Sequence, residues 1–455
     1  MLKSETGTRF EGLILHRIRL RPVVRSLFLA LLFLALLLNG SVATPYRELS
    51  ICLALVPLLL SLMIPVPAPE IRRLRNLTLA LIGAASLWGL LQAAPLPLWM
   101  PVHPIWQAAA PLLDLKTGAL SVAPQSTVAA LPSLVLPGLI FICSLVLSQS
   151  VTGARQMWYG LAVIGSMVVV ISFVLELAFP DTFFFSKYEV GYGTFSGVFV
   201  NRNIAASAFV LTAFALAGVR YFQAGGQRSK KKSAKPQLTR RAGLSLLMLL
   251  LTGIAILATQ SRAGTLLSFP LLCLCLGISE ASKRGQQKLV TILTVLAVGS
   301  LIVALFGEPV FGRLEAARPD ARWCAWSATM DGIRSNFWTG TGYGTFIDAF
   351  PAHRDPSCLT AAGTWHRAHN GFLELAFGFG VPAALLFFGG GYAILGHSLL
   401  TGLRRRKSLR AIPILCLGLL AYVSAHSMVD FPLQIPGVAW YFAALMGVGC
   451  ATSLQ

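Results

Sequence analysis

The run Thr364-Trp365-His366-Arg367-Ala368-His369-Asn370-Gly371 sets two imidazoles, a guanidinium and a carboxamide against the start of a long apolar stretch. Neutral imidazole accepts a proton near neutral pH, so this is where a general base is to be sought. His366 and His369 are spaced to share a metal, but no third ligand of matching spacing accompanies them. Asn370 and Glu374 fall on one helical face, where they either orient a sugar or cap and anchor a helix. Arg262 sits in Thr259-Gln260-Ser261-Arg262-Ala263-Gly264, a tiny connection between two apolar runs. A guanidinium held there answers either to a phosphate, whose oxygens it grips through a planar fork, or to a lipid headgroup or a nearby acid. Arg322, Arg367 and Asn201-Arg202-Asn203 occupy comparable positions, and Asp430 follows another apolar run in His426-Ser427-Met428-Val429-Asp430-Phe431-Pro432.

The elements that must position these residues are membrane spans. The chain has 455 residues, 55% of them hydrophobic and only 12% charged. About twelve runs are long and apolar enough to cross a bilayer. They lie near 26–43, 49–65, 76–94, 131–149, 157–179, 203–222, 242–259, 263–279, 289–306, 371–397, 411–427 and 435–453. The expected fold is all-α, a polytopic integral membrane protein with one large outer loop. Residues 1–25 form a basic cytoplasmic leader and 26–455 a single membrane domain containing that loop, 307–370. Shorter outer segments fall at about 95–130 and 181–202. The first run resembles a signal peptide with Ser41-Val42-Ala43 as its cleavage site, but its long basic leader and the many spans that follow favour an uncleaved span.

The net charge of +20 would suggest nucleic acid if it were spread evenly. Alternating the spans from a cytoplasmic N-terminus instead puts most Lys and Arg on one side, as the positive-inside rule requires. Runs such as Arg228–Lys235 and Arg404–Lys407 are topology signals and lipid-headgroup contacts. No base-reading motif accompanies the charge, so no nucleic-acid partner is expected. Six of the eight cysteines fall in spans and act as small apolar residues. Cys324 and Cys358 lie in the large outer loop, either paired or as two free thiols.

Within that loop, 320–337 reads as a helix with Trp323, Trp326, Met330, Ile333 and Phe337 in one stripe. The stripe suits either a membrane interface or packing on other helices of the chain. Gly340-Thr341-Gly342-Tyr343-Gly344-Thr345-Phe346 lacks the preceding strand that a nucleotide-binding loop needs, so it is expected to be a tight positioning turn.

Taken in order, Ser196-Gly197-Val198-Phe199-Val200-Asn201-Arg202-Asn203, Thr259-Gln260-Ser261-Arg262, Arg322-x-x-x-Trp326, Gly340–Phe346 and Ala368-His369-Asn370-Gly371-Phe372-Leu373-Glu374 resemble the O-antigen ligase and O-antigen polymerase-like superfamily of bacterial membrane glycosyltransferases. Ser121–Thr127 and Val429–Leu433 also look like family features. The resemblance covers most of the chain and is strongest over 190–380. Family members usually read Asn-Pro-Asn where this chain has Asn201-Arg202-Asn203, so Arg202 either adds a phosphate contact or only caps a helix.

The resemblance implies a multi-pass enzyme of the inner membrane, lipopolysaccharide or surface-polysaccharide assembly as its setting, and an active site on the periplasmic side. The donor would be a glycan on a polyprenyl diphosphate. The acceptor would be a sugar hydroxyl of a lipid A-core or of a second lipid-linked glycan. On that reading His369 is the base, and Arg262 and Arg322 steady the leaving diphosphate. Arg202, Asn203, Arg367, Asn370 and Glu374 contact substrate. The reaction would be metal-independent, use no cofactor and invert the anomeric carbon. Membrane lipids and other polysaccharide-assembly proteins are the remaining expected partners. A transporter or flippase for lipid-linked glycans is the competing reading, but its ionisable groups would belong near the bilayer midplane.

Overall fold

The computed structural model describes residues 4–179, 195–199, 201–228, 240–279, 321–355, 363–405 and 410–455. The run near 289–306, the basic residues 229–235, Arg406, Lys407 and Cys358 lie outside these. Cys324 is disulfide-bonded.

The described chain is almost wholly helical. The helices are α1 (Ser4–Leu37), α2 (Thr44–Leu62), α3 (Pro69–Ala93), α4 (Pro104–Leu113), α5 (Pro124–Leu147), α6 (Val151–Ala178), α7 (Arg202–Arg228), α8 (Arg240–Ala258) and α9 (Arg262–Ser279). They continue with α10 (Ala321–Ser335), the single turn α11 (Phe346–Ala349), α12 (Gly371–Phe379), α13 (Val381–Arg405), α14 (Ala411–Ser427) and α15 (Pro436–Leu454). One two-residue antiparallel pair, β1 (Leu96–Pro97) with β2 (Thr117–Gly118), closes the segment around α4. Among the described residues eight helices are long and apolar enough to span a membrane, and three shorter apolar helices lie over Gly243–Ala258, Arg262–Ile278 and Ala411–Ser427. A helix is the form that satisfies its own backbone polar groups in lipid, which is why long apolar runs become helices here.

Proline opens several of these helices, at Pro45, Pro69, Pro104, Pro124 and Pro436. At the first turn its missing N–H removes no hydrogen bond. At the centre of the bundle stands α15, 94% buried, with α7 nearly as enclosed at 89% over Arg202–Val219. A helix apolar on every side belongs in a core. Small residues let its neighbours approach closely: Gly447 lies against the Phe141 carbonyl of α5 and Gly449 against Cys416 of α14. Ser144 donates to the Ala444 carbonyl at 2.7 Å, tying α5 to the same helix. Val24, Phe28, Leu32 and Leu36 of α1 are buried in this core, so α1 is packed as a full member of the bundle.

The apolar run expected over 371–397 is two helices. Gly380 breaks it at φ +78°, and the break faces the glycine-rich turn. Thr341 and Gly342 donate their backbone N–H groups to the carbonyls of Phe377 and Gly378 at 2.9 and 3.0 Å. Gly340 and Gly342 have φ +67° and +106°, and a Cβ on Gly340 would overlap the Gly378 carbonyl. The turn reading of this motif therefore describes what the loop does: it lets two backbones touch. Gln92, fully buried at the end of α3, locks the junction. Its amide donates to the carbonyls of Thr339 (2.6 Å) and Gly378 (2.8 Å), and its Oε1 accepts from the Tyr343 N–H (3.1 Å).

Candidate active site

The site forms on the face of the bundle that carries α10, termed here the upper face. Three of the helices that begin there carry the candidate residues. The first turn of α9 is set by Thr259-Gln260-Ser261: Gln260 takes the left-handed conformation at φ +52°, and Ser261 Oγ caps the helix by accepting from the Gly264 N–H at 3.2 Å. This fixes Arg262 as the first helical residue. The first turn of α7 is capped by Asn201, whose Oδ1 accepts from the Asn203 N–H at 2.7 Å. The two first turns touch, since a Cβ on Gly264 would lie 2.6 Å from Ala206. Arg202 and Arg262 therefore open neighbouring helices at a level where helix N-termini favour an anion. The third is α12, capped by Asn370, whose Oδ1 accepts from the N–H groups of Phe372 and Leu373 at 3.1 Å each.

His369 precedes that cap in the left-handed conformation, φ +51°. A non-glycine residue there is strained by about 1 kcal/mol or more and persists only when its surroundings over-determine it. Several contacts do so. Trp326 of α10 donates its indole N–H to the Ala368 carbonyl at 2.9 Å. Glu374 of α12 accepts from the Ala368 N–H at 2.8 Å and from Arg367 at 3.0 Å. Asn370 donates to the Met428 carbonyl at 2.8 Å. The His369 ring is flanked edge-on by Trp365 and Phe431, with centroids at 5.6 and 4.8 Å.

The central finding is Asp430. It lies in the turn between α14 and α15, 1% exposed, and its Oδ1 is 3.4 Å from His369 Nδ1. That is ion-pair range, slightly longer than a well-formed hydrogen bond. Asp430 Oδ2 accepts from Asn203 Nδ2 at 2.6 Å and lies 3.7 Å from Arg322. Arg322 also donates to the Val429 carbonyl at 2.9 Å. Burial pushes the Asp430 carboxyl up, but the His369 contact and the charge of Arg322 outweigh it and hold the group below the usual carboxylate range. Asp430 is thus a buried carboxylate facing a partly open imidazole, 26% exposed. With Nδ1 turned toward Asp430, the opposite ring nitrogen Nε2 is the one left to take a proton.

The structure sorts the residues expected from the sequence. His369, Arg322 and Asn203 converge on one carboxylate, and Arg202 and Arg262 stand on adjoining helix starts. Asn370 caps α12, and Glu374, within that helix, holds the loop that carries His369 through Ala368 and Arg367. Arg367 is paired with Glu374, and His366 is exposed. The aromatic stripe of α10 divides. Trp326 and Ile333 turn inward, whereas Trp323 is 67% exposed, and the packed face is made of small residues such as Ala325, Ala328 and Thr329. Asp430 as the partner of His369 was missed. The only signal in the sequence was an acid at the upper end of an apolar run.

Fold and site together define a multi-pass helical membrane protein with a histidine–aspartate pair and arginines gathered at one face. Residues 247–388 match the family described as O-Antigen ligase. This segment is similar to an O-antigen ligase domain, which supports the resemblance to the O-antigen ligase-like superfamily, whose general activity is ligase- or polymerase-type glycan transfer. Arg262, Arg322 and His369 lie inside the match; Arg202, Asn203 and Asp430 lie outside it. A comparison with curated proteins finds no match.

Proposed function

We propose that the chain transfers a glycan from a polyprenyl diphosphate to a sugar hydroxyl of a lipid A-core or of another lipid-linked glycan, at the periplasmic face of the inner membrane. The observation that carries this reading is the His369–Asp430 pair set beside Arg322 where α7, α9 and α12 begin. His369 Nε2 takes the proton of the acceptor hydroxyl as its oxygen attacks the anomeric carbon. The bond from that carbon to the diphosphate oxygen breaks on the opposite side, so the configuration inverts. Asp430 holds the ring and steadies the imidazolium that forms. Arg262, with Arg202 beside it and Arg322 bridging toward Asp430, offsets the charge gathering on the departing diphosphate. In this scheme arginines do the work that a divalent cation does elsewhere, and the leaving group is already part of the donor.

The test compares His369→Ala with His366→Ala in transfer assays on purified protein. Removing a general base costs about 10²–10⁴-fold in rate. His369→Ala is expected to show that loss with donor binding intact, and His366→Ala to remain near wild type. Equal, mild losses would take His369 out of the chemistry.

A further inference from the structure

Phe431 separates two spaces. One of its sides packs on the His369 ring, with Asp430 and Arg322 beyond it. Phe431 also lines a cavity of about 450 Å³, within the range of ~300–1,000 Å³ that small-molecule and lipid sites occupy. This cavity is enclosed by α3, α5, α12, α13, α14 and α15, with the glycine-rich turn at Tyr343–Phe346, rather than by α7, α9 and α10. Its depth is apolar, with Leu81, Phe141, Phe388, Leu420 and Phe442 among its walls. Its upper end carries Arg47, from the first turn of α2, together with Arg367 and Glu374. Arg367 is paired with Glu374 at 3.0 Å. Among the described residues the Arg47 guanidinium has no hydrogen bond or ion pair. Tyr392 of α13, 37% exposed, also lines the cavity and meets Ser424 of α14 at 2.5 Å, so the space reaches the lipid-facing surface between those two helices.

We propose that this cavity is the acceptor's site: one hydrocarbon chain of a phosphate-bearing acceptor lipid lies between α13, α14 and α5, with its anionic head on Arg47. The inference rests on the glycan-transfer reading. The donor's diphosphate is assigned above to Arg202 and Arg262, neither of which lines this cavity, so the cavity is left for the second lipid. A charged side chain at the upper end of an apolar slot would hold a phosphate while the chain below it replaces bilayer contacts at little cost.

Gly391 gives a clean test. It lines the cavity, and a Cβ there would meet nothing within 4 Å. Gly391→Phe should fill the space without disturbing α13, since glycine is a poor helix former that most residues improve upon. Arg47→Ala is the second variant. Binding to the full-length chain in detergent is measured by native mass spectrometry with two probes, undecaprenyl diphosphate and hexa-acylated lipid A bearing its phosphates. The wild type should hold one undecaprenyl diphosphate plus either lipid A, the ligase case, or a second undecaprenyl diphosphate, the polymerase case. Gly391→Phe should remove the additional lipid and keep the first undecaprenyl diphosphate. Arg47→Ala should weaken the additional lipid about tenfold, the scale of one lost charge-assisted contact. Loss of the first undecaprenyl diphosphate in Gly391→Phe would give the cavity to the donor, and unchanged binding of both probes would leave it empty of lipid; either result overturns the proposal. Failure of the transfer reading shows separately, as no glycan transfer by the purified wild type supplied with donor and acceptor, whatever these binding results.

Discussion

Asp430 is the residue on which the others depend. Its Oδ1 lies 3.4 Å from His369 Nδ1, its Oδ2 takes the amide of Asn203, and it lies beside Arg322. Asp430→Asn keeps the shape but removes the charge that stabilises an imidazolium. Its kcat should fall by about 10²-fold or more, with the donor's Kd little changed, because Asp430 does not touch the diphosphate in this scheme. The carboxyl also has a stability consequence. Its value is depressed in the folded state, so its contribution is fully present above the ordinary carboxylate value and is lost as pH falls through the lowered one. Asp430→Asn should therefore flatten the acid side of the melting-temperature profile, and an unchanged profile would contradict the assignment. Arg262 makes a different prediction. Lysine keeps the charge and loses the planar fork, so Arg262→Lys should cost about 2.7–4 kcal/mol in the transfer step, seen in kcat/KM of folded protein. Near-normal transfer would reassign Arg262 to headgroup or structural contact.

At the scale of elements, the sequence was informative wherever one element explains itself. Twenty-odd apolar residues in lipid have no other stable form, so the spans could be read from composition alone. The tight turn at Gly340–Phe346 was readable because glycine spacing reports backbone approach. The break at Gly380 was not, because apolar residues continue unbroken across it and only the partner loop makes it necessary. Likewise the Asn370–Glu374 spacing placed both on one face, but their role depends on the Met428 carbonyl and the Ala368 N–H, which only the packed structure supplies. The His369–Asp430 pair joins two separate helix connections and leaves no local pattern. One element-level prediction concerns α4. His103 caps it by accepting from the Ile105 N–H at 3.3 Å, and it neighbours Asn336 and His353. Burial lowers both histidines below 6.5; for His103 the nearby His353 adds to this while Asn336 opposes it, and for His353 Asp331 opposes it. Uncharged histidines thus favour the fold above 6.5, and that contribution is lost as pH falls through the lowered values. Protonated His103 also loses its capping lone pair. Hydrogen exchange in 104–113 and 346–353, corrected for its intrinsic pH dependence, should accelerate between pH 7 and pH 5. His103→Asn, which caps without titrating, should suppress the effect in α4.

For the whole molecule, the arrangement of helices commits the upper face to one side of the membrane. On a cysteine-free background, Ser335→Cys in α10 should react with an impermeant maleimide from the periplasm and Met63→Cys, between α2 and α3, only after the membrane is opened. The reverse pattern would invert the scheme and place the site where no periplasmic acceptor could reach it. The central position of α15 has a consequence for how such a molecule is made. The helices wrapped around α15 (α1, α5, α6, α7, α13 and α14) all precede it in the chain, so they enter the bilayer before the helix that fills the space between them exists. During synthesis the bundle must stay loosely assembled, with its inner faces against lipid or insertion machinery. A ribosome stalled before residue 436 would leave a chain fully inserted yet open along its axis, and quality-control proteases of the membrane would meet it in that state.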